Sequence, residues 1–198
     1  MAKSLDIDVL PGAGATTPLD RGGPVGGPVQ EAADLGGFSQ LMLEHEAMVF
    51  SLAYHFLQNR ATAEDLTQEV FLGLYQNLHT IRSAAHLKHW LRQVTSRRCI
   101  DLGRRARLWR FLSLGDAPEP ATELRLTDPA MTRRLQTLVA TLPPKLRMTV
   151  VLRYQEDLEP AEIAAVLDVP LNTVKSSLRR SLKLLRKKLT RQLSGVNT

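Results

Sequence analysis

The chain has 198 residues, 43% of them hydrophobic and 5% aromatic, with a formal net charge of +6. That is enough apolar material for one domain or two small ones with mainly aliphatic cores, and the basic balance favours polyanionic partners. The single cysteine, Cys99, excludes an internal disulfide and any paired-cysteine zinc site, and no run approaches the roughly eighteen apolar residues of a membrane span.

Met1–Leu10 carries Asp6 and Asp8 and no continuous apolar core, so it does not read as a secretory signal. Pro11–Pro28 is rich in glycine and proline, and residues 1–37 are expected to form a disordered tail. Order begins near Phe38. Phe38, Leu41, Met42, Met48, Val49, Leu52, Ala53, Phe56 and Leu57 fall on one helical stripe, with His45 beside them. A second helix is predicted over Ala61–Leu78, with Leu66, Val70, Phe71, Leu74 and Leu78 inward and Thr62 as its cap. A polar break, His79–Ala85, leads into a third helix from about His86 to Arg107. Leu87, Leu91, Val94 and Leu102 share a face of it, and Arg98, close to that face, is expected to snorkel to the edge. Trp90, next to the stripe, reads as a core anchor.

Residues 113–130 read as a linker carrying Pro118, Pro120 and Pro129 and mostly acidic charges. Beyond it, Leu135, Leu138, Val139 and Leu142 form a stripe that Pro143-Pro144 ends. Helices are predicted over Lys145–Tyr154, Glu159–Leu167 and Asn172 to about Leu193. No segment alternates as a strand does. The fold class is therefore all-α: two small helical domains, residues 38–112 and 131–193, joined by a flexible linker.

Charge separates along the chain. Between Glu31 and His79 stand Glu31, Asp34, Glu44, Glu46, Glu64, Asp65 and Glu69, against one basic residue, Arg60. Basic residues then dominate His86–Arg110 and Asn172–Arg191. One acidic surface and two basic ones suggest a protein partner and two nucleic-acid contacts.

The C-terminal pattern is that of a helix-turn-helix. Pro160 suits a first helical turn, Ala164 is small enough for a close helix crossing, and Asp168-Val169-Pro170 makes a tight turn. Asn172 or Thr173 is placed to cap the next helix. In that helix Val174, Leu178, Leu182, Leu185, Leu189 and Leu193 recur as an inner stripe. Asn172, Thr173, Lys175, Ser176, Ser177, Arg179, Arg180 and Lys183 supply the donors and acceptors that a recognition helix brings to base edges and phosphates.

The run LPPKLRMTVVLRYQEDLEPAEIAAVLDVPLNTVKSSLRRSLKLLRKKL resembles domain 4 of the sigma-70 family. The resemblance runs through Leu142-Pro143, Arg147, Leu152-Arg153-Tyr154, Glu162-Ile163-Ala164 and Thr173-Val174-Lys175-Ser176. Glu159 stands where a serine or threonine cap is usual. Ala63-Glu64-Asp65-Leu66-Thr67-Gln68-Glu69-Val70-Phe71 looks like the core-binding segment of sigma domain 2, which makes Asp65, Gln68, Glu69 and Leu72 candidates for contact with core RNA polymerase. The stretch from His86 through Asp101 resembles the helix that reads and melts the −10 element, with Arg97 where asparagine is common. The resemblance implies DNA contacts by Arg82, Ser83, Ala84, His86, Lys88, Arg92, Gln93, Arg97, Arg98, Arg104 and Arg105, and reading of the −35 element by the C-terminal helix.

With no further promoter-reading domain in the linker, the similarity is to the compact extracytoplasmic-function class. It implies an alternative sigma factor in the cytoplasm, with core RNA polymerase, promoter DNA and an anti-sigma protein as partners. The two domains are expected to be tethered and mobile in the free protein, or held together by an inhibitor. A conventional regulator on the same helix-turn-helix is the competing reading. The chain has no Gly-rich phosphate loop, nucleophile elbow or metal triad, so no enzyme activity, cofactor or metal is expected.

Overall fold

A computed structural model describes the backbone of residues 35–112 and 129–194, with side chains over 37–108 and 134–190. The first unit holds α1 (Leu35–Leu57), α2 (Arg60–Asn77), a 3-10 turn (Leu78–Thr80) and α3 (Ala84–Leu112). The second holds α4 (Pro129–Ala140), α5 (Pro144–Tyr154), α6 (Pro160–Leu167) and α7 (Leu171–Ser194). The predicted tail lies almost wholly outside the described residues, as does most of the predicted linker.

Local chemistry sets the helix ends. The carboxamide oxygen of Asn59 accepts from the Thr62 backbone N–H at 2.9 Å and from the Thr62 hydroxyl at 3.0 Å. Asn59, and not Thr62, therefore caps α2, which starts one residue earlier than the stripe alone implies. Ser83 Oγ accepts from His86 N at 3.1 Å and so starts α3 two residues early. Pro144 opens α5 at a position where its missing N–H costs nothing. Glu159 and Glu162 close a capping box at α6, so the departure from a serine or threonine cap leaves the helix start intact.

In the first unit α1 lies along α2 and α3, burying Val49, Leu52, Phe56, Leu66, Val70, Leu74, Leu87 and Leu91. Trp90 packs on this core as expected, its ring reaching Gly73. In the second unit α7 crosses α5 and α6 and buries Met148, Leu152, Ile163, Val166 and Val174. Buried Thr67, Thr95 and Thr149 return their hydroxyls to the carbonyls four residues back, which satisfies them inside the core.

In this structure the two helical units are packed against each other. Val49, Leu87 and Cys99 share one continuous apolar cluster with Met148, Leu152 and Ile163. The reason lies in α3, which is apolar on one side and lined with small residues on the other. A Cβ built on Gly103 would stand 3.1 Å from the Phe56 ring and 3.3 Å from Pro144, so any larger residue would require these neighbours to give by a few tenths of an ångström where α1, α3 and α5 meet.

Arg147 completes the seam. Its guanidinium donates to the Phe56 carbonyl at 3.0 Å and to the carbonyls of Ala140 and Leu142, and it stacks 5.0 Å from the Phe56 ring centroid. Phe56 lies in the last turn of α1 and Ala140 ends α4. One cation thus satisfies carbonyls that helix termination leaves without an intrahelical partner, at the negative ends of two helices from different units. Arg147→Ala would leave those carbonyls buried without a donor, and we expect it to cost about 3 kcal/mol or more. Leu182→Ala, at a surface position 44% exposed, should stay within about 0.5 kcal/mol. Paired chemical denaturation curves check both.

Burial lowers the pKa values of His45, His55 and His89. A histidine held neutral in the fold takes up its proton more readily once unfolded. Its penalty is therefore absent above the ordinary value near 6.5 and grows as pH falls below it. The melting temperature should drop between about pH 7 and pH 5, and less so in His55→Gln.

Candidate nucleic-acid interface

The acidic ridge stands on the outer face of α2. Asp65, Gln68 and Glu69 are all exposed, and Leu72 is 59% exposed, while Leu66, Val70, Phe71 and Leu74 turn inward. Tyr75 extends the ridge by a turn and meets Phe38 edge-on at 5.2 Å. An exposed leucine and tyrosine following the carboxylates of α2 make a surface suited to a basic, partly apolar partner.

The residues predicted for −10 DNA divide into three groups. At the start of α3, Arg82, Ser83, Ala84 and Lys88 are exposed. The loop that presents them is tied down, since Nδ1 of His86 accepts from Arg82 N at 3.2 Å. At the far end Arg104 and Arg105 are exposed, and Arg104 pairs with Asp101 one turn back. The middle group is engaged by carboxylates. Arg98 does snorkel, and it meets Glu69 of the acidic ridge at 2.5 Å. Arg92 places both Nε and a terminal nitrogen 3.1 Å from one oxygen of Glu156, and this pair is largely out of water, with side chains 16% and 8% exposed. Arg97 lies 3.7 Å from Asp168. Gln93 is half-buried between them. The sequence reading did not foresee Glu156 and Asp168 as partners, because each lies in the other unit and only tertiary packing brings it to α3.

The helix-turn-helix forms as predicted, with one shift in phase. Asp168 takes the left-handed conformation, φ 54°, that ends α6, and Val169 N donates back to Ala164 O at 3.1 Å. Thr173 N then donates to the Pro170 carbonyl at 2.8 Å. α7 therefore begins at Leu171, and neither Asn172 nor Thr173 is its cap. Val174 and Leu178 face inward as expected, but the next inward position is Ser181, fully buried, while Leu182 turns to solvent. Ser181 satisfies its hydroxyl on Ser177 O at 2.8 Å and Leu146 O at 3.4 Å. Asn172, Thr173, Lys175, Ser176, Arg179, Arg180 and Lys183 are exposed along one side of α7. Ser177 is half-buried against the core.

Among the described residues no three metal-ligating side chains come together. Cys99 is buried on the seam, where loss of water drives its thiol pKa well above the usual value against the opposing charge of Arg147. Among the described residues no helix is long and apolar enough to cross a membrane.

Residues 41–108 match the family model for sigma-70 region 2, and residues 132–185 match that for sigma-70 region 4. The chain is 32% identical over 170 residues to the ECF RNA polymerase sigma factor SigE of Mycolicibacterium smegmatis, covering 83% of this chain and 66% of that one. It is 26% identical over 173 residues to the ECF RNA polymerase sigma factor SigW of Bacillus subtilis, covering 79% and 90%. Among solved structures, CnrH in complex with the cytosolic domain of CnrY has a TM-score of 0.60 at 20% identity, covering 83% of this chain and 96% of that one. The sigma factor RpoE bound to the anti-sigma factor NepR from Bartonella quintana also gives 0.60, at 17% identity, covering 77% and 96%. These two likenesses establish the fold.

The Arg98–Glu69 pair sits where both side chains keep much of their water. A double-mutant cycle with Arg98→Ala and Glu69→Ala, followed by thermal unfolding, should yield a coupling below about 1 kcal/mol.

Proposed function

Because the chain belongs to the sigma-70 family of RNA polymerase sigma factors, in its extracytoplasmic-function class, we propose that α2 docks it on core RNA polymerase while α3 and α7 contact promoter DNA. Its role is promoter-specific transcription initiation as an alternative sigma factor. The finer assignment takes residues 38–112 as domain 2, 113–130 as the linker and 131–193 as domain 4.

The observation that carries the assignment is the separation of faces on α7. Val174, Leu178 and Ser181 anchor the helix, while Asn172, Thr173, Lys175, Ser176, Arg179, Arg180 and Lys183 stand clear of the domain. A helix so mounted can enter a major groove, with Asn172, Thr173, Ser176 and Arg180 toward base edges and the lysines toward phosphates. Ser177 is the weakest of the −35 candidates, because it faces the core.

On α2, Asp65, Gln68, Glu69 and Leu72 form the polymerase contact. On the first unit, Arg82, Ser83, Ala84 and His86 lie where an unstacked base of the −10 element would be held. Lys88, Arg92, Arg97, Arg98, Arg104 and Arg105 line the path of the single strand, with Gln93 among them. Strand opening then draws on binding energy, with no covalent step by this chain. An anti-sigma protein completes the expected set of partners, since the similar CnrH and RpoE structures hold CnrY and NepR. The site of action is the cytoplasm, with the DNA and polymerase.

The test is affinity for sigma-free core RNA polymerase. Glu69→Lys should weaken it by about 2–5 kcal/mol. Arg98→Ala, which breaks the same internal pair without reversing the ridge, should leave it nearly unchanged. Loss in both variants would point to the Glu69–Arg98 pair and away from the ridge. No binding by the folded parent chain would favour a conventional duplex-binding regulator.

In the holoenzyme, promoter affinity should fall with salt at a log–log slope of roughly −5 if six phosphates are contacted. Arg180→Ala should cost about 1–3 kcal/mol on selected upstream sequences only, if Arg180 reads a base. A uniform loss across sequences would make it a phosphate contact.

A further inference from the structure

A cleft of about 350 Å³ opens between the far part of α3 and the turn from α4 to α5. That volume lies in the range of small-molecule sites. Gly103 and Arg107 form the α3 wall, Thr141, Pro143 and Pro144 stand across from them, and buried Arg147 lines the cleft as well. None of these residues belongs to the polymerase or promoter contacts proposed above.

The lining has one sign of charge. Among the described residues no carboxylate reaches the cleft. The ion pairs of α3 take up Arg92, Arg97, Arg98 and Arg104, and among the described residues none takes up Arg107. A further cation comes from α7, where Lys188 Nζ donates to Thr141 Oγ1 at 2.5 Å and so stands at the rim. Between the cations the surface is that of Gly103, Pro143 and Pro144, with no side-chain donor or acceptor. Cations around an apolar floor match a ligand that is anionic at one end and apolar at the other.

We propose that this cleft is a binding site for a small phosphomonoester with an apolar, ring-bearing body of nucleotide size. Arg107 presents a planar fork suited to two phosphate oxygens, and Lys188 adds a point charge from a different helix. A phosphomonoester offers three acceptor oxygens and more than one negative charge near neutrality, so it can meet both, where a single carboxylate has less to give. The body then lies over the glycine and the two prolines. Absence of a side chain at Gly103 leaves room for it. A nucleic-acid strand fits less well, since it would follow the exposed cations of α3 and not turn into a cleft with an apolar floor. One wall comes from the first unit and the rest from the second, so a ligand that touches both raises the melting temperature of the folded chain.

The probe is radiolabelled adenosine 5′-monophosphate, in equilibrium dialysis against the full-length chain. One molecule should bind per chain, at least about tenfold more tightly than inorganic phosphate or adenosine alone, because each lacks one half of the contact. Arg107→Ala, at an exposed position, should weaken binding at least about tenfold, the loss of a charge-assisted pair. Lys188→Gln should weaken it at least about threefold. Arg134→Ala, an equal charge loss at an exposed site on α4 outside the cleft, should leave it unchanged. The nucleotide should also raise the melting temperature of the parent and not that of Arg107→Ala.

No binding by the folded parent, affinity unchanged in both Arg107→Ala and Lys188→Gln, or equal affinity for inorganic phosphate would overturn the site. Displacement of the nucleotide by an oligothymidylate at equal phosphate concentration would give the cleft to nucleic acid and overturn the small-ligand reading. Neither experiment needs polymerase, so failure of the chain to bind core polymerase would leave this result standing.

Discussion

Arg147 is the constraint on which the arrangement of this molecule turns. It sits in α5 with 9% of its surface exposed and reaches the last turn of α1, the end of α4 and the α4–α5 turn at once. Helix ends leave carbonyls that water or a side chain must satisfy. Here one guanidinium satisfies those of two helices from different units, so neither end can be buried without the other. The planar fork and fixed charge of arginine allow this, where lysine offers only a point charge. The ring of Phe56 covers the guanidinium, and Gly103 lets that ring lie close to α3. Remove the cation and the closest approach in the seam loses its reason.

Around that staple the charges are arranged by consequence of packing. The acidic ridge of α2 and the basic track of α3 belong to adjacent helices, and Arg98–Glu69 bridges them at their shared edge. Such an exposed pair contributes little to stability but fixes the azimuth of both side chains. Arg92–Glu156 is different in kind. Its charges are mostly out of water, so the pair must be made well or not at all. Among the described residues no carboxylate pairs with the exposed polar face of α7 from Asn172 to Lys183.

Much of this was legible in the sequence. Apolar periodicity placed the α-helices of the described residues to within a few residues, apart from the far end of α3, which runs on to Leu112, because an amphipathic helix records its own inward face. The turn at Asp168-Val169-Pro170 and the small Ala164 marked the helix-turn-helix, and charge segregation marked the ridge and the two basic tracks. The errors are local and have causes. Asn59 caps α2 in place of Thr62, because the side chain one turn before the third helical residue reaches its N–H. Leu182 was assigned inward on hydrophobicity, yet Ser181 holds that position. At 3.6 residues per turn the inward line from Val174 and Leu178 passes through residue 181, and Ser181 can bury its hydroxyl on Ser177 O.

By itself the sequence determined that helices form and roughly where, most of the residues each turns outward, and which family the chain resembles, since these depend on neighbours within a turn or two. Only the tertiary structure decided that the two units share one core and that Arg92 and Arg97 face carboxylates. The partners are 64 residues apart for Arg92 and Glu156, and 91 for Arg147 and Phe56. No local periodicity specifies a contact over such distances. It is set when close packing around Gly103 brings two helix ends within reach of one guanidinium.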